Sequence, residues 1–193
     1  MHSALRLSEV TRVNQLLWQT FSLLCGQNPA HTWAAGEALL PFCQRCAGLY
    51  IGAATCVALH LVLRPGLSGR FIAAHGLLLL IAAPFCFHWI PNGPVLRAMT
   101  GVLCGFGIGT FLWLVPGTAL GRADGSGRRA ATWGYAAGLI SVLLLVPLAG
   151  SLGGAVIGWM LEGLAAAGVL SFAGLVLANA AFGLRGLVRR QVK

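Results

Sequence analysis

Residues 42–63, the stretch of sequence that decides the fold, read FCQRCAGLYIGAATCVALHLVL. Arg45 is the one charged residue in this stretch, and the others are mostly apolar or small. A helix needs about 20 mostly apolar residues to cross the hydrocarbon core of a bilayer. The stretch therefore predicts a transmembrane helix over Phe42–Leu63, ended by the breaker Arg64-Pro65-Gly66.

Four further stretches of the same kind follow, and they predict an all-α, polytopic membrane helical bundle of about five transmembrane helices. They are Phe71–Ile90, Val95–Val115, Ala130–Ala149 and a long one within Leu152–Phe182. Composition agrees, because only 9% of the residues are charged and 58% are hydrophobic. A soluble domain has roughly a quarter of its residues charged.

The spans organise residues 1–193 as a single transmembrane domain. We expect an N-terminal interfacial segment with Cys and His over residues 1–41, then the first three spans over 42–115. The last two spans occupy 130–182, and a basic tail follows over 183–193. Within the first segment, Val10–Leu24 is too polar to span and predicts an amphipathic helix lying at the membrane interface.

The net charge of +9 does not indicate a nucleic-acid partner, because the basic residues are scattered between apolar runs rather than gathered in a stripe. Instead, they predict orientation, since cytoplasmic loops carry an excess of Lys and Arg. One face would hold nine basic residues: Arg64, Arg70, Arg122, Arg128, Arg129, Arg185, Arg189, Arg190 and Lys193. The other would hold four: Arg6, Arg12, Arg45 and Arg97.

We therefore expect a multi-pass protein of the cell's inner membrane with a cytoplasmic carboxyl terminus. The lipid bilayer is its expected partner, and membrane protein partners or a second copy of the chain remain open.

Pairs of glycines four residues apart predict close packing between helices, because small residues let helix backbones approach. The pairs are Gly48/Gly52, Gly101/Gly105, Gly105/Gly109, Gly134/Gly138 and Gly154/Gly158.

The sharpest local motif is Cys43-Gln44-Arg45-Cys46, at the expected outer face. Pro41 predicts a helix start just ahead of it, and free N–H groups in a first helical turn favour a thiolate. Three chemistries fit: a redox disulfide, half of a metal site, or a structural disulfide to Cys25 or Cys86. For a zinc site the ligand set is Cys25, His31, Cys43 and Cys46, with Cys86 as an alternative ligand. Cys56 and Cys104, in the middle of spans, are expected to be packing residues.

Polar residues at the same face suggest an intramembrane polar site. Its members are Arg45, His88, Asn92, Arg97 and Glu162. Glu162 is the one acidic residue inside a predicted span, and a carboxylate in lipid is costly unless it is paired. We expect it to meet Arg97 or Arg45, with His88 as a third candidate.

The motifs resemble those of a known family. Cys25-Gly26-Gln27, followed by Cys43-Gln44-Arg45-Cys46-Ala47-Gly48-Leu49-Tyr50-Ile51-Gly52, is similar to the signature of domain of unknown function 2085. A second stretch with Asn92, Arg97, Thr100, Gly101 and Gly105 also resembles that family. The resemblance covers roughly Cys25 to Gly109 and implies a small bacterial or archaeal membrane protein with no activity to carry over. In place of an acidic residue common near the end of the second span, this chain has Phe87-His88-Trp89. His88 or Glu162 would then take the role of that acidic residue.

Three functions are compatible with these residues. The first is an accessory or scaffold protein with a zinc site at one membrane face. The second is a quinone-linked thiol-disulfide oxidoreductase with Cys43 and Cys46 as its catalytic pair, an arrangement partly similar to the membrane enzymes that form disulfides. The third is a small transporter or channel that uses Glu162 and Arg97.

Overall fold

A computed structural model of the protein describes residues 15–35, 38–121 and 129–191. Most of the predicted interfacial helix is within this range, and α1 covers residues 15–22. Residues 10–14 of that predicted helix lie outside the described residues, as do Arg122 and Arg128 of the predicted cytoplasmic loop.

The segment ahead of the first span contains a small antiparallel sheet that the sequence did not predict. A 3-10 turn at Pro29–His31 leads into β1 (Thr32–Ala35), which pairs with β2 (Ala38–Cys43). Pro41, which was predicted to mark a helix start, lies within β2. The first long helix therefore begins three residues later, at Gln44. Proline is tolerated there because it lies in a two-stranded sheet with little backbone pairing to interrupt.

Five long helices follow, and each is long and apolar enough to cross a membrane. They are α2 (Gln44–Leu63), α3 (Gly69–Cys86), α4 (Pro94–Ala119), α5 (Arg129–Leu152) and α6 (Ala155–Gln191). The predicted membrane helical bundle of five spans is therefore confirmed. α6 continues to Gln191, so its helix also covers most of the residues predicted as the basic tail.

α2 and α4 form the centre of the bundle, and their glycines bring the two backbones together. A Cβ placed on Gly48 would collide with the Ala98 carbonyl oxygen, and one on Gly101 would collide with the Arg45 carbonyl oxygen. A Cβ on Gly52 would lie 2.9 Å from the Val102 carbonyl oxygen. The predicted close approach at Gly48/Gly52 and Gly101/Gly105 is therefore confirmed.

The other glycine pairs have different neighbours. Gly134 and Gly138 of α5 face leucine side chains of α2, whereas a Cβ added to Gly154 would have no neighbouring atom within 4 Å. Gly168 of α6, which belongs to none of the predicted pairs, lies directly against the Tyr50 carbonyl of α2. Spacing alone thus identified the α2–α4 contact but not the α2–α6 contact.

The small sheet packs onto the bundle where α5 ends and α6 begins. Trp33 is buried and contacts Gly150, and Ala35 contacts Gly158. Because the helices alternate in direction, the start of α2, the end of α3 and the start of α4 lie at this same end. The fold thus gathers the N-terminal segment and the Cys-x-x-Cys motif at one face of the bundle.

A three-cysteine cluster as the candidate functional site

Cys43 and Cys46 are placed by the junction between β2 and α2. Cys43 is the residue that caps the start of α2, with an extended backbone (φ −75°, ψ 162°), and Cys46 lies in the first turn. Both side chains are partly buried. The free N–H groups and the positive end of the helix dipole at this position favour negatively charged sulfur.

Cys25 joins them from the loop that follows α1. The sulfur atoms of Cys25, Cys43 and Cys46 all lie within 4.8 Å of one another. The backbone N–H groups of Gln27 and Cys43 donate to the Cys25 sulfur at 3.5 and 3.3 Å. The structure therefore brings together three of the four residues in the predicted zinc set.

Hydrogen bonding makes Cys25 the most acidic thiol of the cluster. Bonds from the Cys43 and Cys46 thiols, in that order of importance, hold the pKa of Cys25 well below its usual range. The same contact with Cys25 is the largest influence on Cys43 and raises the pKa of that thiol. A lowered pKa favours the thiolate form of Cys25, which is the form that binds metal or acts as a nucleophile.

Gln27 holds the Cys25 loop in place, a role that the sequence analysis missed. Its side-chain amide donates to the carbonyl oxygens of Trp18 at 2.9 Å and Pro41 at 2.8 Å. Its own backbone is in the left-handed region (φ 44°), which is uncommon for a residue other than glycine. The available signal was its position, two residues after Cys25 in the motif.

A cavity of about 350 Å³ opens beside the cluster. It is lined by Cys25, Cys43 and Cys46 together with His31, Arg45, His88 and Arg97. His31 also lines this cavity, but its ring nitrogens are not among the atoms that lie within 4.8 Å of one another. Desolvation, followed by the positive charge of Arg97, lowers the pKa of His31 and so favours the neutral, metal-binding form of the ring.

Arg45 connects the motif to the end of α3. Its guanidinium donates to the carbonyl oxygens of Phe85 at 2.8 Å and Cys86 at 3.1 Å, and it lies 3.3 Å from Nε2 of His88. Both carbonyls lie in the last turn of α3, where acceptors lack the N–H of a following helical turn. The Nε atom of Arg45 is buried without a hydrogen-bond partner among the residues that the structure describes.

Asn92 and Arg97 form a separate pair at the start of α4. Arg97 donates to Oδ1 of Asn92 at 3.3 Å and to the side-chain oxygen of buried Gln44 at 3.5 Å. Within the described part of the chain, the buried amide nitrogen of Asn92 has no partner. The predicted polar site thus divides into an Arg45–His88 group and an Asn92–Arg97 group, and Arg45, His88 and Arg97 line the cavity.

Glu162 does not join either group. It is partly buried on α6, seven residues after Ala155, which is about 10 Å along the helix. Among the described residues, no charged or hydrogen-bonding group acts on its carboxylate. The predicted ion pair with Arg97, Arg45 or His88 is therefore wrong for this structure. Hydropathy placed Glu162 inside the last span correctly, but which side of the helix it occupies depends on how α6 packs.

Cys86 is also placed away from the cluster. Its sulfur lies 3.2 Å from the sulfur of Cys104, and both side chains are partly buried. Cys86, predicted as the alternative zinc ligand, is therefore not among the three clustered sulfur atoms, and Cys104, expected to be a packing residue, lies against Cys86.

A second buried polar group lies in the other half of the bundle, and sequence reasoning did not assemble it. Its members come from four helices: Cys56 and His60, His75, Thr110, and Tyr135. Nδ1 of His75 bonds the Phe71 carbonyl at 2.8 Å, so Nδ1 carries the proton and Nε2 accepts from the Tyr135 hydroxyl at 3.1 Å. The Tyr135 oxygen is also 3.0 Å from the Thr110 hydroxyl and 3.3 Å from the Cys56 sulfur.

We expect Tyr135→Phe to lower the free energy of unfolding by about 1–3 kcal/mol, because it leaves buried polar groups without their central partner. Denaturant titration of purified protein, followed by tryptophan fluorescence, measures the loss. Ser141→Ala is the matched control, since it removes an exposed hydroxyl of the same helix that bonds only the Ala137 carbonyl. Equal stabilities of the two variants would contradict the network's role.

The comparisons with known proteins agree with the motif resemblance and define the residues over which it holds. Residues 25–111, just under half of the chain, match the family model described as predicted membrane protein, domain of unknown function 2085. No curated protein and no solved structure matches the chain. The matched segment contains all three cluster cysteines, the Arg45–His88 contact and the glycine interface of α2 with α4. Over residues 25–111, the predicted resemblance to this family of membrane proteins is therefore confirmed.

Proposed function

We propose that this membrane protein binds one zinc ion through Cys25, Cys43 and Cys46 at one membrane face, and that it acts as a metal-stapled scaffold or accessory subunit. The observation that carries the proposal is the convergence of three sulfur atoms within 4.8 Å of one another from two distant parts of the chain. Zinc is four-coordinate and favours Cys and His ligands, with sulfur at about 2.3 Å.

The fourth ligand comes from the cavity side. His31 lines that cavity, where desolvation favours the neutral ring that a metal ligand requires, and we assign it as the fourth ligand. Otherwise a water molecule takes the open position, as in sites with three protein ligands.

The surroundings support a negatively charged metal centre. Three thiolates on a divalent ion leave one net negative charge, and Arg45 and Arg97 line the same cavity. The two N–H groups that donate to the Cys25 sulfur stabilise it further, as outer hydrogen bonds do for metal ligands generally. Zinc would thus tie the loop after α1 to the start of α2 and hold the N-terminal segment on the bundle.

We further propose that the cluster lies at the outer face of the cell's inner membrane. The basis is the distribution of Lys and Arg along the sequence: the order of the spans assigns nine to the far side of the bundle and four to the cluster side. Cytoplasmic loops carry the basic excess, so the carboxyl terminus would be cytoplasmic.

One observation favours the second candidate, a thiol-disulfide oxidoreductase with a quinone as electron acceptor. An apolar groove of about 640 Å³ runs between α2, α4 and α6, and Leu24 lines both this groove and the cluster cavity. A lipid-soluble quinone in the groove would lie next to the residue that precedes Cys25. Cys43 and Cys46 would then carry the disulfide. No contact among the described residues favours the transporter hypothesis, since Glu162 and Arg97 are not joined.

Zinc analysis and disulfide mapping on one sample decide between the two candidates. The protein is purified in detergent without reductant, and its metal content and the state of each thiol are measured together. We expect about one zinc per chain, with Cys25, Cys43 and Cys46 all reduced once the metal is chelated. A metal-free protein with a disulfide among these three cysteines would overturn the zinc proposal and support the oxidoreductase.

A further inference from the structure

A second thiol pair, formed by Cys86 and Cys104, lies outside the cluster and is not used by the proposed metal site. Cys86 is the last residue of α3, and Cys104 lies ten residues after the first residue of α4. Their sulfur atoms are 3.2 Å apart, and neither side chain is fully buried. The pair therefore connects two neighbouring helices at a point that small molecules can reach.

We propose that Cys86 and Cys104 form a reversible disulfide whose oxidant is a lipid-soluble quinone. A disulfide needs its sulfur atoms at about 2.05 Å, so the pair must close by little more than 1 Å. Cys86 is well placed to move, because the chain leaves α3 directly after it through Phe87 and His88. His88 has a left-handed backbone (φ 61°), which marks a turn rather than a continuing helix.

The depth of the pair selects the class of oxidant. Ten residues of helix carry Cys104 about 15 Å from the start of α4, at about 1.5 Å per residue. The hydrocarbon core of a bilayer is about 30 Å thick. Cys86 is the last residue of one candidate span and Cys104 lies inside another, so the pair lies at the edge of the core nearest the cluster. A lipid-soluble quinone reaches this edge of the core from the bilayer, where polar oxidants are scarce.

The chemistry balances with the quinone as the only co-reactant. The S–H bonds of Cys86 and Cys104 break, and one S–S bond forms between the two sulfur atoms. The two electrons and two protons released pass to the quinone, which becomes a hydroquinone. A small dithiol reverses the reaction by thiol–disulfide exchange.

Arg45 gives the disulfide a structural consequence. The guanidinium of Arg45 bonds the Phe85 and Cys86 carbonyls, so the end of α3 that would move on oxidation is the end that Arg45 holds. Arg45 lies between Cys43 and Cys46 in the Cys-x-x-Cys motif, so it links the end of α3, which carries Cys86, to the cluster. The disulfide itself needs no metal, and its existence is independent of the zinc proposal.

Peptide mapping of the wild-type protein in liposomes tests this inference. Trypsin cuts after Arg70, Arg97 and Arg122, so Cys86 and Cys104 fall in the separate peptides 71–97 and 98–122. After addition of a short-chain quinone, we expect these two peptides to become joined with the loss of two thiols per chain and of two hydrogen atoms in mass. Dithiothreitol should separate them again.

Variants and a second oxidant sharpen the result. Cys86→Ser and Cys104→Ser should each abolish the joined species, and a membrane-impermeant polar oxidant should form it much more slowly than the quinone. Peptides 71–97 and 98–122 that stay separate in the wild-type protein under quinone would overturn the proposal, and so would a disulfide joining Cys86 to Cys25, Cys43 or Cys46. The wild-type map needs no variant to fold, so it decides the question alone.

Discussion

Cys46→Ser is expected to reduce bound zinc from about one ion per chain to less than about a tenth, since a serine hydroxyl is a far weaker zinc ligand than a thiolate. The thermal midpoint should also fall, because the free energy of metal binding is part of the free energy of folding when the site links distant segments. A loss of about 3 kcal/mol would lower the midpoint of a chain of this size by roughly 6–12 °C. Metal analysis and thermal unfolding on the same preparations give both quantities.

Two comparisons separate metal loss from loss of a side chain. Cys104→Ser removes a partly buried thiol outside the cluster and should leave the zinc content unchanged. A chelator should lower the midpoint of the wild-type protein but not that of Cys46→Ser. If Cys46→Ser keeps its zinc, or if the chelator lowers both midpoints equally, then Cys46 is not a ligand.

Gly101→Leu is expected to prevent assembly of the bundle. A Cβ at this position already collides with the Arg45 carbonyl oxygen and lies 2.9 Å from the Leu49 backbone nitrogen, and backbone atoms cannot rotate away. The cost should be roughly 4 kcal/mol or more, at the severe end of single substitutions. Size-exclusion chromatography in detergent should show aggregated protein or none at all.

The matched control for this change is Gly163→Leu. Gly163 lies on α6 with no atom within 4 Å of its Cβ position, so a leucine there meets open space or lipid. This variant should elute like the wild-type protein. A Gly101→Leu protein that elutes normally would show that α2 and α4 are not packed as described.

The spans were predictable because each one is recognised from the apolar residues of its own segment, without knowledge of which helices it packs against. Phe42–Leu63 and Val95–Val115 differ from α2 and α4 only at their ends. The Gly48 and Gly101 contacts were predictable too, since a four-residue spacing places small residues on one face of each helix. The β1–β2 sheet was not, because its strands are short and one of them contains Pro41.

The candidate site was only partly predictable, for a different physical reason. Cys43 and Cys46 are one helical turn apart, so local geometry brings them together, whereas Cys25 and Gln27 depend on how a loop folds back. Glu162 and Tyr135 show the same limit. The sequence places each of them within a span. Their contacts, however, depend on which helices lie beside that span, and a single sequence does not show this.

X-ray absorption at the zinc edge of the purified wild-type protein tests the central claim most directly. The three-cysteine site predicts about three sulfur scatterers near 2.3 Å and one nitrogen or oxygen near 2.0–2.1 Å, where His31 or water completes the shell. A zinc ion with no sulfur neighbours, or a protein that takes up no zinc while Cys25, Cys43 and Cys46 remain reduced, would contradict the account.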